Sequence, residues 1–428
     1  MAHSFDPYDL RKKFPSLARK QDGKPTIFFD GPGGTQVPQT VIDAINRHFI
    51  EMNHHMEGDF LGSQQVDAAI ADARAIFADF FNAPSSGEKA FDEIAFSLNF
   101  TSHTYNVSRS IAQTLSPGDE IMVTVRDHEA NHSPWMALKE VDATVHEVDI
   151  NTKDCTLDMA DFEAKLNKRT KVVAIGLASN FSGNISDMKA VTDMAHQAGA
   201  IVYADAVHYA PHGPIDVQDL DVDFLALSVY KVFGPHGVGV LYGKKDVIDQ
   251  LPSYKVRPCT YHKFESGTQA FSNIPGATAA IEYIAGLGKM YGTPYADQFP
   301  GIKGRRLDLK TGMAAIREYE MSLFEHLIKG VQTLPGIKMY GITDPKQFNR
   351  RTPTLAMTVD GFTPHQIGEY MGEQGIFLWT GNFYAQRLDE RLGTYENGGV
   401  VRVGLSHYNT EEEVDRYLEA LETLIKSK

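Results

Sequence analysis

Between Glu93 and Gly243 the chain alternates short apolar runs with segments of helical period, and this alternation restricts the fold more than any other feature. The runs are EIAFSL (93–98), EIMVTV (120–125), ATVHEVDI (143–150), KVVAIGLAS (171–179), IVYADAV (201–207), DFLALSV (223–229) and VGVLYG (238–243). Most are rich in Val, Ile and Leu and have no polar face. Strands of that kind are buried on both sides, which predicts an α/β fold with a mostly parallel central sheet covered by helices on both faces. DMKAVTDMAHQAGA (187–200) reads as one of those helices, with Gly199 as its stop signal. Ligands of such sheets bind beyond the carboxyl ends of the strands, so the polar residues just after each run carry the functional information.

From about residue 300 the pattern changes. KTGMAAIREYEMSLFEHLIKGVQTL predicts a long helix, and IKMYGI, TLAMTV and GGVVRVGL predict strands. A terminal helix is expected from about Thr410, where Glu413 three residues on completes a capping-box pattern. A chain of 428 residues exceeds what one small core organises. It is expected to divide into an N-terminal segment (1–30) packed on a small lobe, a large domain (31–295) and a smaller α+β C-terminal domain (296–428).

Composition excludes several function classes. The net charge of −14 argues against a nucleic-acid or anionic-membrane surface. Only two cysteines occur, Cys155 and Cys259, with no CxxC or Cys/His cluster, so neither a disulfide framework nor a metal site is expected. MAHSFDPYDLRKKFPSLARK, at the start, has no apolar targeting core, and no later run approaches the length of a membrane span. A cytoplasmic protein without membrane or nucleic-acid partners is the expectation.

SVYKVFGPHGVGVLYG (228–243) sets Lys231 ahead of a series of glycines. A nucleotide P-loop places its lysine after the glycines, and a dinucleotide fingerprint opens a helix, whereas this run leads into a strand. Neither nucleotide reading holds. An isolated lysine here would be a surface residue before a turn, but Asp205 ends a neighbouring apolar run. An acid in that position is solvated, paired or functional. A lysine and an aspartate at two strand ends meet the needs of pyridoxal 5'-phosphate. The lysine forms a Schiff base with its aldehyde, and the carboxylate keeps the ring nitrogen protonated.

With these residues in place the chain resembles the class V aminotransferases, pyridoxal-phosphate enzymes of fold type I, and within them the cysteine desulfurase-like branch. The resemblance runs from FFDGPGGTQVP to VRVGLSHYNTEEEVDR. It implies Lys231 as the Schiff-base lysine, Asp205 as the ring-nitrogen partner, and His128 of RDHEANHSPW as the residue that stacks on the ring and moves protons. Asn180 and His208 fall where side chains bond the ring's 3-oxygen side, His208 standing where desulfurases commonly carry glutamine. The phosphate is expected at the helix start in NFTSHTYN, on backbone N–H groups around Phe100 and Thr101 and on the Thr101 hydroxyl. Ser228 and Tyr230 match the remaining phosphate contacts. Thr268 of FESGTQ is implied to reach the neighbouring subunit's phosphate, so a homodimer is expected. Arg402 is implied to bind the substrate α-carboxylate through its planar fork.

The pattern breaks in LWTGNFYAQRL, where Tyr384 falls near the place of the persulfide-forming cysteine. Trp379 replaces an arginine there, and Asn382 and Phe383 replace histidines, which makes the substrate pocket more aromatic. In DGPGGTQ, Pro32 and Gly33 leave room over the substrate. His54 and His55 read as polar residues at a helix end, with one of them lining the pocket as the alternative. The resemblance without the cysteine implies a pyridoxal-phosphate-dependent lyase-type enzyme acting on a small L-amino acid. It would cleave a C–S bond of the substrate's side group or a β-carboxylate through quinonoid or enamine intermediates, and carbon–carbon bond formation to an aldehyde is compatible. An amino-acid epimerase or an aminotransferase of the same family is the alternative.

Overall fold

The computed structural model describes residues 5–257 and 260–427, so Cys259 lies outside the described residues. Seven strands form the large sheet: β1 (Ile94–Ser97), β2 (Glu120–Thr124), β3 (Thr144–Val148), β4 (Thr170–Gly176), β5 (Ile201–Asp205), β6 (Phe224–Ser228) and β7 (Gly239–Gly243). Their spatial order is β1-β7-β6-β5-β4-β2-β3. The run from β6 to β3 is parallel, and β7 is antiparallel to both of its neighbours. The reversal follows from the connection 229–238, too short for a crossover, which needs roughly a dozen residues or more.

Successive residues of one strand enter different cores. Val173, Ile175, Val202, Leu225 and Val240 pack on one face of the sheet. Val172, Ala174, Tyr203, Ala226 and Leu241 pack on the other. Helices α1 (Gln39–Glu51), α2 (Leu61–Phe81), α3 (Phe100–Ala112), α4 (Met188–Ala198) and α5 (Ile274–Tyr291) accompany the sheet. Asp187 caps the start of α4, and Gly199 ends it in the left-handed region at φ 85°. Gly239 brings β7 close under the start of α3, where an added Cβ would lie 2.5 Å from the Asn99 backbone.

The second sheet holds β8 (Ile337–Tyr340), β9 (Thr354–Val359), β10 (Trp379–Gly381) and β11 (Val400–Gly404), in the antiparallel order β8-β9-β11-β10. The long helix α6 (Gly304–Gln332) belongs to both cores. Leu309, Met313 and Ile316 pack with the large sheet, and Leu323, Phe324 and Leu327 pack with the small one. Helices α7 (Pro364–Glu373) and α8 (Glu411–Lys426) complete the small lobe, and both halves of the Thr410/Glu413 capping box are formed. The N-terminal segment touches both lobes. Ile27–Phe28 pairs in parallel with Ile376–Phe377, and the Phe14 ring meets that of Tyr283 in α5 at 5.4 Å. Among the described residues no helix is long and apolar enough to cross a membrane.

Candidate active site

A cavity of about 600 Å³ opens where the carboxyl ends of the large sheet meet the small lobe. Each neighbouring strand delivers polar groups to it just past its end. Phe100 and Thr101 follow β1, Asp127 and His128 follow β2, and Asn180 follows β4. Asp205 closes β5 and is followed by His208; Ser228 closes β6 and is followed by Tyr230 and Lys231. The small lobe adds Trp379, Phe383, Tyr384 and Arg402, and the segment after Phe29 adds Pro32 and Gly33. Of the residues assigned to the cofactor or substrate from the sequence, all line this cavity except Thr268, which stands outside its wall. His54 and His55 also stand outside it, in the loop after α1.

The central pair is electrostatically unusual. Lys231 Nζ donates to the Pro32 carbonyl. Burial, followed by the neighbouring Arg402 charge, pushes its ammonium down to about 7, against the opposite pull of Asp205 and Asp30. Burial lifts the Asp205 carboxyl to about 7. Among the described residues that carboxylate takes one hydrogen bond, from Val207 N–H at 2.8 Å. Asp127, one position before His128, accepts the Gly176 N–H at 3.0 and 3.1 Å and ties the end of β2 to the end of β4. Burial raises its carboxyl too.

His128 Nδ1 accepts the Ala130 N–H at 2.9 Å, so the neutral ring carries its proton on Nε2. Burial, with Lys231 and Arg402 adding to it, holds this histidine down at about 4. His208 Nε2 lies 3.0 Å from the Thr352 hydroxyl and 3.2 Å from that of Thr354, and burial pushes its pKa well down. Behind it, 5.6 Å ring to ring, His212 pairs with Glu320 at 2.7 Å.

At the other end of the cavity the Phe100 N–H donates to Ser228 Oγ at 2.9 Å. This differs from the sequence expectation of an N–H left facing an anion: the short side chain of Ser228 reaches the helix start and occupies it. Asn99 caps the same turn by accepting the Ser102 N–H at 2.9 Å. The Tyr230 ring stacks on His236 at 4.5 Å, and Lys231 Nζ lies 5.0 Å from its centre.

Arg402 is buried, with Nη1 donating to the Asn180 carbonyl at 2.9 Å and the guanidinium 3.9 Å from the Phe383 ring centre. Burial lowers it to about 9, so it stays charged at neutral pH. Asn180 Nδ2 donates to the Phe383 carbonyl at 2.9 Å. Asn180 Oδ1 and Arg402 Nε are buried without a hydrogen-bond partner among the described residues. Because Asn180 and Arg402 line the cavity, a bound ligand could complete the bonding of these two atoms. An acceptor and a cation left open beside a singly bonded carboxylate and a near-neutral lysine fit a polar aldehyde cofactor together with an anionic substrate.

Two wall groups, Asp127 and the Pro32 carbonyl, were not picked out from the sequence. Asp127 was detectable by its position at a strand end beside His128. The Pro32 carbonyl had no side-chain signal at all. At Gly33, already assigned to the substrate from the sequence, an added Cβ would lie 2.1 Å from Trp379 Nε1, so the indole would have to shift. Phe383 and Tyr384 take left-handed φ values of 55° and 58°, a strain of about 1–3 kcal/mol each for such residues. Three hydrogen bonds hold them there: Asn180 to the Phe383 carbonyl, Glu129 N–H to the Tyr384 carbonyl at 2.7 Å, and Tyr384 N–H to Asn382 Oδ1 at 3.0 Å.

The class-V aminotransferase family model matches residues 27–299 and 292–417. The chain belongs to the class-V aminotransferase family. Like the enzymes of that family it is pyridoxal-phosphate-dependent. A cysteine desulfurase of Synechococcus elongatus is 31% identical over 98% of this chain, which spans 64% of that relative, less than two thirds of its length. The aminotransferase-like protein FGM3 of Gibberella zeae is 33% identical over 99% of both chains. Among solved structures, the apo cysteine desulfurase from Thermococcus onnurineus superposes with a TM-score of 0.84 at 25% identity, covering 100% of both chains. Fold type I and the α/β architecture expected from the apolar runs agree with that superposition.

Proposed function

We propose that this class-V aminotransferase family member is a lyase-type enzyme acting on a small L-amino acid, cleaving a C–S bond of its side group or releasing a β-carboxylate. The observation that carries the reading is the meeting of Lys231, Asp205 and Arg402 in one cavity, with the lysine amine brought close to neutrality. Bound pyridoxal phosphate supplies an electron sink that weakens bonds at and beside the substrate's α-carbon. Lys231 Nζ would hold the cofactor's aldehyde carbon, and Asp205 would keep a proton on the ring nitrogen. Asn180 and His208 would flank the 3-oxygen. Thr101, Ser228 and Tyr230 would hold the phosphate, the Phe100 N–H being already taken by Ser228 Oγ, with Thr268 assigned to the partner's phosphate in a homodimer. Arg402 would fix the α-carboxylate. His128 Nε2 and Lys231 Nζ are the groups able to hold or move a proton near the α-carbon.

A released sulfur group would leave without covalent capture, because among the described residues no cysteine lines the cavity. Cys155 is buried and its thiol is pushed up to about 11 by that burial, which removes thiolate character at neutral pH. The presence of two proton carriers in one cavity supports a second reading, an epimerase or an aminotransferase. Incubation of the loaded enzyme with L-amino acids separates them. Sulfide, sulfite or carbon dioxide supports the lyase, a D-amino acid supports the epimerase, and turnover that requires a keto acid supports the aminotransferase.

A further inference from the structure

We infer that the substrate's side group ends in a flat apolar ring carried beyond the bond that breaks, so that of the proposed substrates the enzyme takes an L-α-amino acid with an aryl group on its side-chain sulfur, seated between Trp379 and Tyr384. The inference rests on the assignment of Arg402 to the α-carboxylate.

Trp379 and Arg402 are register partners on the antiparallel neighbours β10 and β11. Directly opposed residues project from the same face of a sheet, with Cβ atoms roughly 4.5–5.5 Å apart. A carboxylate held on Arg402 therefore sets the substituents of its α-carbon beside the Trp379 indole. The Tyr384 ring also lines the cavity, 5.5 Å from that of His128. On this inference a side chain leaving the α-carbon runs between the two rings, and Tyr105 also lines the cavity.

None of these rings is accounted for by the core. Trp379 is 51% exposed, Tyr384 71% and Tyr105 49%, while the other tryptophan, Trp135, is fully buried. Large apolar groups gathered and left open at one place mark a binding surface. Their positions are also built. The indole lies against the bare backbone of Gly33, and Tyr384 is held in left-handed backbone by hydrogen bonds at its own N–H and carbonyl. The cavity, about 600 Å³, falls in the range that admits a ring-bearing ligand beside other groups.

The test uses the cofactor-loaded enzyme and three probes, L-phenylalanine, L-alanine and L-arginine. The chain has two tryptophans, so with Trp135 buried a ligand-dependent emission change reports Trp379. L-phenylalanine is expected to change that emission and to bind at least about tenfold more tightly than the other two. By calorimetry Trp379→Ala should reduce the phenylalanine-to-alanine affinity ratio by about tenfold, and Trp379→Phe should retain most of it. Equal or tighter binding of L-arginine, or an unchanged ratio in Trp379→Ala, overturns the inference. Loss of the dimer in Trp379→Ala overturns it as well, since the indole would then be a subunit contact. Covalent cofactor surviving in Lys231→Ala would sink the underlying enzyme assignment instead, a separate failure.

Discussion

Arg402 and Phe383 form a cation–ring contact of 3.9 Å that holds the guanidinium over the ring while its Nη1 is tied to the Asn180 carbonyl. The fork is pre-oriented toward the cavity, with Nε left open. Lysine can reproduce the charge but neither the stacking nor the paired donors. Arg402→Lys should weaken substrate carboxylate binding by about 1.5–3 kcal/mol, the range for a charge-assisted hydrogen bond. Dissociation constants of an L-amino acid measured by calorimetry check this.

Lys231 is held near 7 by burial and by the Arg402 charge, and Asp205 opposes both. The free amine is the nucleophile, so capture of pyridoxal phosphate by the apo-enzyme should accelerate as pH rises through about 7, not near 10.5. Removing a charge that lowers the pKa raises it, so Arg402→Met should move the midpoint to higher pH. Asp205→Asn should move it to lower pH. Rapid-mixing absorbance traces at a series of pH values report the midpoint, and an alkaline midpoint in the unaltered enzyme contradicts the assignment.

The parts of this architecture that were legible in the sequence share a cause. Strands such as Thr170–Gly176 carry apolar residues on both faces because they feed two cores, and Thr410 with Glu413 closes its cap within three residues. Asp205 and Lys231 stood out because polar groups at the ends of such strands have few other reasons to be there. What was hidden depends on contacts between distant segments. The pairing of Ile27–Phe28 with Ile376–Phe377, the Pro32 carbonyl beside Lys231, and Gly33 beneath Trp379 have no local pattern. Phe100 shows the limit of helix-start reasoning, because a serine from another strand takes its N–H.

His103, on α3, is fully buried and held down at about 4 by burial. Between about pH 6.5 and 4 the unfolded polypeptide takes up this proton and the folded one does not. Folding stability from this residue is therefore lost as pH falls through that window, by about 1.4 kcal/mol per pH unit. In His103→Leu the pH dependence of stability should be flatter by that amount between those limits. Urea unfolding of both proteins across the window measures the difference.

His212 and Glu320 meet at 2.7 Å, with both side chains almost entirely buried. His212→Leu leaves the Glu320 carboxyl without its partner and should destabilise the fold by about 3–5 kcal/mol. The double replacement His212→Leu/Glu320→Leu should recover much of that loss, since two apolar groups leave no stranded charge. Denaturant midpoints of the two variants supply the comparison.

The assignment of Lys231 as the residue that holds the cofactor underlies every chemical role given to the cavity. Borohydride reduction of the pyridoxal-phosphate-loaded protein, followed by peptide mass spectrometry, tests it most directly. The predicted result is a single reduced adduct on Lys231 that is absent from Lys231→Ala. An adduct on a different lysine, or one that persists in Lys231→Ala, would contradict it.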